Sequence, residues 1–365
     1  MFVNKEIQHT MSIPFGQRLK AARVMAGLSM DGLVEKINNK VSKQAISKYE
    51  NGLMMPDSSV IIALADALGV GVDYFFTESK VEIADLNFRK RASLGEKAID
   101  SLSERVRDAL ERYVELESFY QDVPTFENPF RGLVASGRDD VERASATLRG
   151  AWGIGPETAV SHVVDLLEEH FIKVIELEDD AAFDGLSGQA DGNPFIVLNA
   201  RMPTDRKRFT ALHELAHLCL TFDSSLHKAE MEKLCHSFGS SFLLPRVVLE
   251  RELGTKRSEI SLFELAALKR HYGLSMQAIM YRAVSCGIIS DYSYEQFSKM
   301  ISAKGWRKTE PVIYPVPEQP RRFKQLLYRA LSEDLISISK AAYLGRMSID
   351  ELRREQALED VFSHS

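Results

Sequence analysis

The chain has 365 residues, 45% of them hydrophobic and 27% charged, with a formal net charge of -6. This is an ordinary soluble composition, long enough for two or three compact cores. No segment approaches the roughly 18 uninterrupted apolar residues of a membrane span, and the N-terminus lacks the basic-then-apolar pattern of a signal peptide, so a cytoplasmic protein without membrane contact is expected. Cys219, Cys235 and Cys286 are an odd number without paired spacing, which argues against a disulfide framework and fits small buried thiols. A net charge of this size does not decide nucleic-acid binding, because a basic patch can sit within an acidic whole.

Local charge is more informative. Between Pro14 and Gly52 there are seven basic residues (Arg18, Lys20, Arg23, Lys36, Lys40, Lys43, Lys48) against Asp31, Glu35 and Glu50. The same stretch reads as short helices. Phe15 to Met25 ends at Gly27; Ser29 caps a helix holding Leu33, Val34 and Ile37; Ser42 caps another through Ala45, Ile46 and Tyr49 to Asn51-Gly52. The tight connection makes a helix-turn-helix. Ser59 to Leu68 repeats apolar residues at helical spacing, and a fifth short helix lies near Val72 to Phe76.

The runs Phe15-Gly16-Gln17-Arg18-Leu19-Lys20, Ser42 to Gly52, Pro56 and Leu64 to Val70 resemble the XRE (lambda-repressor-like, Cro/C1-type) DNA-binding domain over about residues 14 to 77. The resemblance implies an all-α head whose second motif helix enters the major groove of a double-stranded operator. It assigns base or phosphate contacts to Ser42, Lys43, Gln44, Ser47 and Lys48, with Gln44 the best base reader. Where that family often places a glutamine at the start of the preceding helix, this chain has Met30.

From Val81 to about Phe119 the chain is charged and helix-prone. Leu102, Val106, Leu110, Val114 and Leu116 form an apolar stripe suited to packing on a neighbour or to a dimer seam. Arg89-Lys90-Arg91 could touch a DNA backbone. Asp122-Val123-Pro124 and Asn128-Pro129 then punctuate the chain and place a boundary near 120 to 130. Thr158 to Glu169 has helical spacing, Ile172 to Leu177 reads as a strand, and Pro194 to Asn199 as a second. A loop rich in Gly and Asp, through Gly185, Gly188 and Gly192, joins them.

Next comes His213-Glu214-Leu215-Ala216-His217, on a helix whose early exposed turns hold Arg206, Lys207 and Arg208. On a helix the two histidines stand one turn apart on one face and can reach one metal ion, with Glu214 beside them. A catalytic zinc needs a third protein ligand and an open position for water. Glu232, on a helix with an acidic start, is a candidate, with Glu230 and His236 as rivals. Glu232, Cys235, His236, Phe238, Gly239, Phe242, Leu243 and Pro245 resemble the second helix of the ImmA/IrrE metallopeptidases, in the form E-x-x-[AC]-[NH]-x-F-[AG]-x-x-[FL]-L-x-P. The similarity runs from about Gly155 to Ser290 and assigns the third ligand to Glu232. It implies an α+β zincin-like domain in which Zn2+ on His213, His217 and Glu232 activates water and Glu214 is the general base. His271, Tyr272, Tyr281 and Arg282 are candidates for stabilising the oxyanion.

Beyond Ser290, Tyr294 to Ile301 reads as a helix, Pro311 to Pro320 as a proline-broken loop, and Arg322 to Leu331, Ser337 to Leu344 and Ser348 to Ala357 as amphipathic helices. Residues 338 to 348 have a helix-turn-helix look, but a helical bundle without nucleic-acid contact is the reading adopted. The expected layout is a multidomain chain: 1–80 helix-turn-helix head, 81–125 connector, 126–290 metallopeptidase domain, 291–365 helical tail. The resemblances imply a homodimeric transcriptional regulator that cleaves a repressor or a toxin-antitoxin partner, in control of a mobile-element or stress-response operon. The alternative is a non-enzymatic repressor or antitoxin whose metal domain senses or binds a partner.

Overall fold

A computed structural model of the chain describes residues 3–77, 81, 83–88, 95–130, 132–178 and 183–362. Two units emerge: Met1–Glu82 with Arg91–Val123 and Arg322–Ser365, and Ile83–Lys90 with Pro124–Arg321. Among the described residues no helix is long and apolar enough to cross a membrane.

The first unit opens with α1 (Val3–Met25), α2 (Met30–Lys36), α3 (Lys43–Glu50), α4 (Ser58–Leu68) and a 3-10 turn at Val72–Phe76. Each start is capped locally. Ser29 Oγ accepts from Gly32 N at 3.0 Å, Ser42 Oγ from Ala45 N at 3.2 Å, and Asp57 Oδ1 from Val60 N at 3.0 Å, which satisfies amides that a helix start leaves open. Phe15, Leu19, Leu33, Ile46, Leu64 and Phe75 are fully buried between these helices. A Cβ at Gly16 would lie 2.5 Å from the Tyr49 carbonyl oxygen, so α1 crosses α3 backbone to side-chain-free backbone there. Two of the seven basic residues serve this core. Arg23 forks onto Glu50 at 2.5 and 2.9 Å, and Arg18 donates to Glu111 and to the Thr77 carbonyl, each at 2.6 Å.

Helix does not run through the whole connector. Strand β1 (Ile83–Phe88) belongs to the second unit, and helix α5 (Glu96–Glu117) starts only after Gly95. The backbone of 83–88 pairs with a neighbouring strand, and the helix-prone residues of the connector lie beyond it, in α5. Arg89-Lys90-Arg91 lies outside the described residues.

The second unit continues with β2 (Val134–Ala135), α6 (Arg138–Ala151), α7 (Val163–Glu169), β3 (Lys173–Leu177), β4 (Gly185–Ala190), β5 (Asn193–Asn199) and α8 (Thr204–Cys219). Then follow β6 (Thr221–Phe222), α9 (Lys228–Leu243), α10 (Arg246–Leu253), α11 (Leu262–Tyr272), α12 (Met276–Ser285) and α13 (Asp291–Ala303). The sheet order is β1-β4-β5-β3, with β4 antiparallel to both neighbours and β3 parallel to β5; β2 and β6 form a separate parallel pair. Leu198 and Ile196 of the sheet, Leu212 and Leu215 of α8, and Phe238 and Phe242 of α9 share one buried core.

Three expectations are corrected here. The glycine-rich stretch from Gly185 is strand β4, not loop: a Cβ at Gly185 would lie 2.6 Å from Thr210 Cγ2, so its glycine marks close approach of α8 to the sheet. Helix α7 begins at Val163 rather than Thr158 because Glu318, 155 residues away in sequence, accepts from the Val163 and Val164 amides at 2.8 Å. Only Arg206 of the three basic residues at the α8 start stays partly exposed, paired with Asp184 at 2.7 Å. Arg208 is fully buried and donates to Glu318 at 2.5 Å, while Lys207 pairs with Glu176 and donates to the Glu318 carbonyl at 3.1 Å. The proline-broken loop supplies that carboxylate, so a charged run that looks solvated in sequence is drawn inside.

The tail helices α14 (Arg322–Ser332), α15 (Ile338–Gly345) and α16 (Ile349–Phe362) return to the first unit. Leu326, Leu327, Leu344 and Leu352 pack with Tyr113 and Leu116 of α5, which covers the lower part of the connector stripe inside the chain. Arg112 of α5 donates to the Leu344 carbonyl at 2.8 Å, and Asp108 bridges Arg112 and Arg346 at 2.9 and 3.2 Å.

Candidate metal centre and nucleic-acid interface

Helix α8 follows Pro203 and buries Ala211, Leu212, Leu215, Ala216 and Cys219 against the sheet and α9. That burial turns His213 and His217 towards α9. Their Nε2 atoms lie 3.1 Å apart, and the Glu232 carboxylate oxygens lie 3.2 Å from His213 Nε2 and 3.6 Å from His217 Nε2. Donors about 2.0–2.2 Å from a zinc ion stand about 3.3–3.6 Å apart at tetrahedral angles, so the spacing of this triad suits one small divalent ion. Hydrogen bonds from His213 and then His217 hold the Glu232 carboxyl well below the usual carboxylate range, against the opposing effect of burial.

A second donor set shares the histidines. Cys235 Sγ lies 3.7 Å from His217 Nδ1, and one ligand atom each of His213, His217 and Cys235 falls within 4.8 Å of the others. One imidazole offers one nitrogen to an ion. With Nε2 of His217 facing His213 and Glu232, its Nδ1 is left to the sulfur, the place where an outer partner orients a ligating histidine. The two rivals of Glu232 are engaged otherwise. Glu230 is exposed and accepts from the His227 amide at 2.9 Å as a helix cap. His236 is sandwiched between Phe209, stacked at 5.7 Å, and His213 at 4.6 Å.

Gly239 explains how the two helices come so close. A Cβ there would meet the Phe209 carbonyl oxygen at 3.4 Å and Leu212 Cβ at 3.5 Å, contact distances that admit Ala and little more. Glu232 lies two turns earlier on the same helix and is carried to the histidines by that approach. Glu214 is 1% exposed, and its Oε2 accepts from Ser187 Oγ at 2.9 Å. Sequence reasoning missed Ser187 and Gly185. Their only signal was Gly-Leu-Ser-Gly, small residues in a stretch whose glycines suggested a loop. Burial pushes the Cys219 thiol far above its ordinary range and raises that of Cys286, so neither is a ready nucleophile.

Each oxyanion candidate has a partner of its own. Arg282 donates to Leu244 O and forks onto Glu142 at 2.6 and 2.9 Å, and Tyr272 Oη meets Arg251 Nη2 at 3.2 Å. Tyr281 packs edge-on to Tyr294 at 6.0 Å, and His271 edge-on to Tyr272 at 4.5 Å.

On α3, Lys43, Gln44 and Lys48 are exposed, Ser47 is half-buried, and Ile46 and Tyr49 face the core. Ser42 is exposed, and its Oγ, which accepts the Ala45 amide, keeps its hydroxyl hydrogen for a phosphate. Lys43 pairs with Asp31 at 2.7 Å in solvent, a contact worth little and readily exchanged for a phosphate. Met30 packs on the head's core instead of offering the polar group expected there.

Two family models match this chain. Residues 19–75 match the model described as helix-turn-helix, and residues 167–284 that described as the IrrE N-terminal-like domain. The first span includes all of α3; the second includes His213, Glu214, His217 and Glu232. No curated protein matches the chain.

Proposed function

We propose that this fusion of an XRE-type helix-turn-helix head with an ImmA/IrrE-like metallopeptidase domain is a cytoplasmic transcriptional regulator that hydrolyses a regulatory protein, such as a repressor or toxin-antitoxin partner, in control of a mobile-element or stress-response operon. The observation that carries it is the convergence of His213, His217 and Glu232 beside the buried carboxylate of Glu214. In this reading residues 1–80 read DNA, 126–290 carry the zincin-like peptidase, and 81–125 and 291–365 support them, helical apart from β1 and the proline-broken loop.

His213, His217 and Glu232 would hold Zn2+. When bound there, the ion polarises a peptide carbonyl and acidifies water at its open position. The chain's own residues do the rest. Ser187 Oγ, donating to Glu214 Oε2 at 2.9 Å, fixes the orientation of that carboxylate. Glu214 takes one proton as water adds its hydroxyl to the carbonyl carbon, then passes that proton to the leaving amine as the C–N bond breaks. Burial of His213 and Glu214 keeps bulk water from competing for the proton.

The head places Gln44 and Lys48 on its exposed helix face, where Gln44 suits an adenine edge and Lys48 a phosphate. With the lower α5 stripe covered by the tail, a homodimer on a two-fold operator would use other surfaces. Selection of bound duplexes from a random library tests this directly. Gln44→Ala should relax the selected sequence at one position and cost about 1–3 kcal/mol, whereas Lys48→Ala should weaken binding to all sequences and lower the salt slope by about 1. No selection above background by the wild-type chain at low salt would defeat the DNA-reading assignment. For the peptidase, the zinc-loaded chain should cleave its regulatory target and lose that ability with chelation.

A further inference from the structure

The sheet carries an occupant where a substrate would be useful. Strand β4 is the one tied to Glu214, through Ser187. One of its sides is fully used, with six consecutive pairs from Gly185↔Leu198 to Ala190↔Asn193 on β5. The other side is taken by β1, which runs antiparallel to it. That pairing is the least regular in the sheet: Ile83↔Ala190 and Ala84↔Gln189, then an irregularity, then Asn87↔Ser187 and Phe88↔Leu186. Position 87 thus stands across from the residue that holds the Glu214 carboxylate. Residues on both sides of β1 in sequence belong to the first unit, so β1 enters this sheet from outside its own unit's continuous chain.

A strand edge presents a row of amides and carbonyls that an extended peptide can satisfy in full, with the backbone supplying affinity. We infer that Ile83–Phe88 is a resident stand-in on the β4 edge, which an extended peptide segment must displace before it can lie along that strand. The inference rests on the peptidase reading for what the edge is used for, but not for its existence. Exchange replaces four pairs in two separate blocks with an incoming strand, so the backbone bonds lost are returned by the newcomer. A groove open about a tenth of the time binds its ligand about tenfold more weakly than one held open.

The test uses the full chain carrying Glu214→Gln, to prevent turnover, and a fluorescein-labelled peptide with the sequence of residues 81–90, read by anisotropy. Adding Asn87→Pro, which puts a ring without an amide hydrogen at the register partner of Ser187, should tighten peptide binding by about tenfold. Because that variant can disturb folding, a second one closes the argument. Ala84→Cys with Gln189→Cys joins two register partners, and oxidation should abolish peptide binding while reduction restores it. Equal binding by the oxidised and reduced forms, or no binding by either unlocked form, overturns the inference. A chain that binds the peptide when unlocked but cleaves nothing with Glu214 intact upholds this inference and sinks the peptidase reading alone.

Discussion

Replacing Glu214 with Gln is expected to leave zinc binding intact and to lower peptide-bond cleavage by about 10²–10⁴-fold, the range that general acid–base catalysis contributes. The substitution is nearly isosteric, and the amide oxygen can still accept the 2.9 Å hydrogen bond from Ser187 Oγ, so the fold around it has no reason to move. What is lost is the ability to take a proton. His213, His217 and Glu232 keep their mutual spacing, so one zinc per chain should survive gel filtration in both forms. Cleavage rate and metal content measured on the same preparations separate the two roles. Wild-type cleavage by the Gln form would remove Glu214 from the chemistry. Unchanged operon control in cells carrying it would favour the non-enzymatic regulator.

The second large effect concerns stability. Glu318→Ala should destabilise the second unit by about 3–5 kcal/mol, because it strands a guanidinium that is fully buried. Arg208 would keep its bonds to the Ser161 and Val160 carbonyls at 2.7 and 2.6 Å but lose the Glu318 carboxylate, and the Val163 and Val164 amides would lose their shared acceptor. For a unit of this size that corresponds to a fall in melting temperature of about 10 °C. Since Arg208 sits on the helix of His213 and His217, zinc affinity should fall with it. A melting temperature within about 2 °C of wild type would show that the buried pair is not what anchors the base of that helix.

These two residues mark where the sequence was readable. Glu214 stands in a five-residue pattern whose spacing alone places it beside two histidines, and two of the head's helices announce themselves through Ser29 and Ser42 at their starts. Local signals of that kind survive folding because the partners are three or four residues apart. Glu318 had no such signal. Its partners lie 110 and 155 residues away, so neither the start of α7 nor the burial of Arg208 could be read from neighbours. Strand β4 was hidden for a related reason: the glycine that lets α8 approach is also the residue that suggests a loop. Strand β1 was hidden by its surroundings: Ile83–Phe88 carries one charge, Asp85, but was read together with the charged, helix-prone stretch that follows it, and its strand partner lies about 100 residues further on. Lys207 and Arg208 show the same limit for charge: a basic run reads as solvated until its distant acid is known.

The ligand set itself is the point on which the account turns, because Glu232 and Cys235 compete for the same pair of histidines. X-ray absorption on the zinc-loaded full chain distinguishes them in one spectrum. The account predicts about one zinc per chain with a first shell of nitrogen and oxygen at about 2.0–2.2 Å and no sulfur. A zinc–sulfur distance of about 2.3 Å would contradict it, placing Cys235 in the shell where the account puts Glu232.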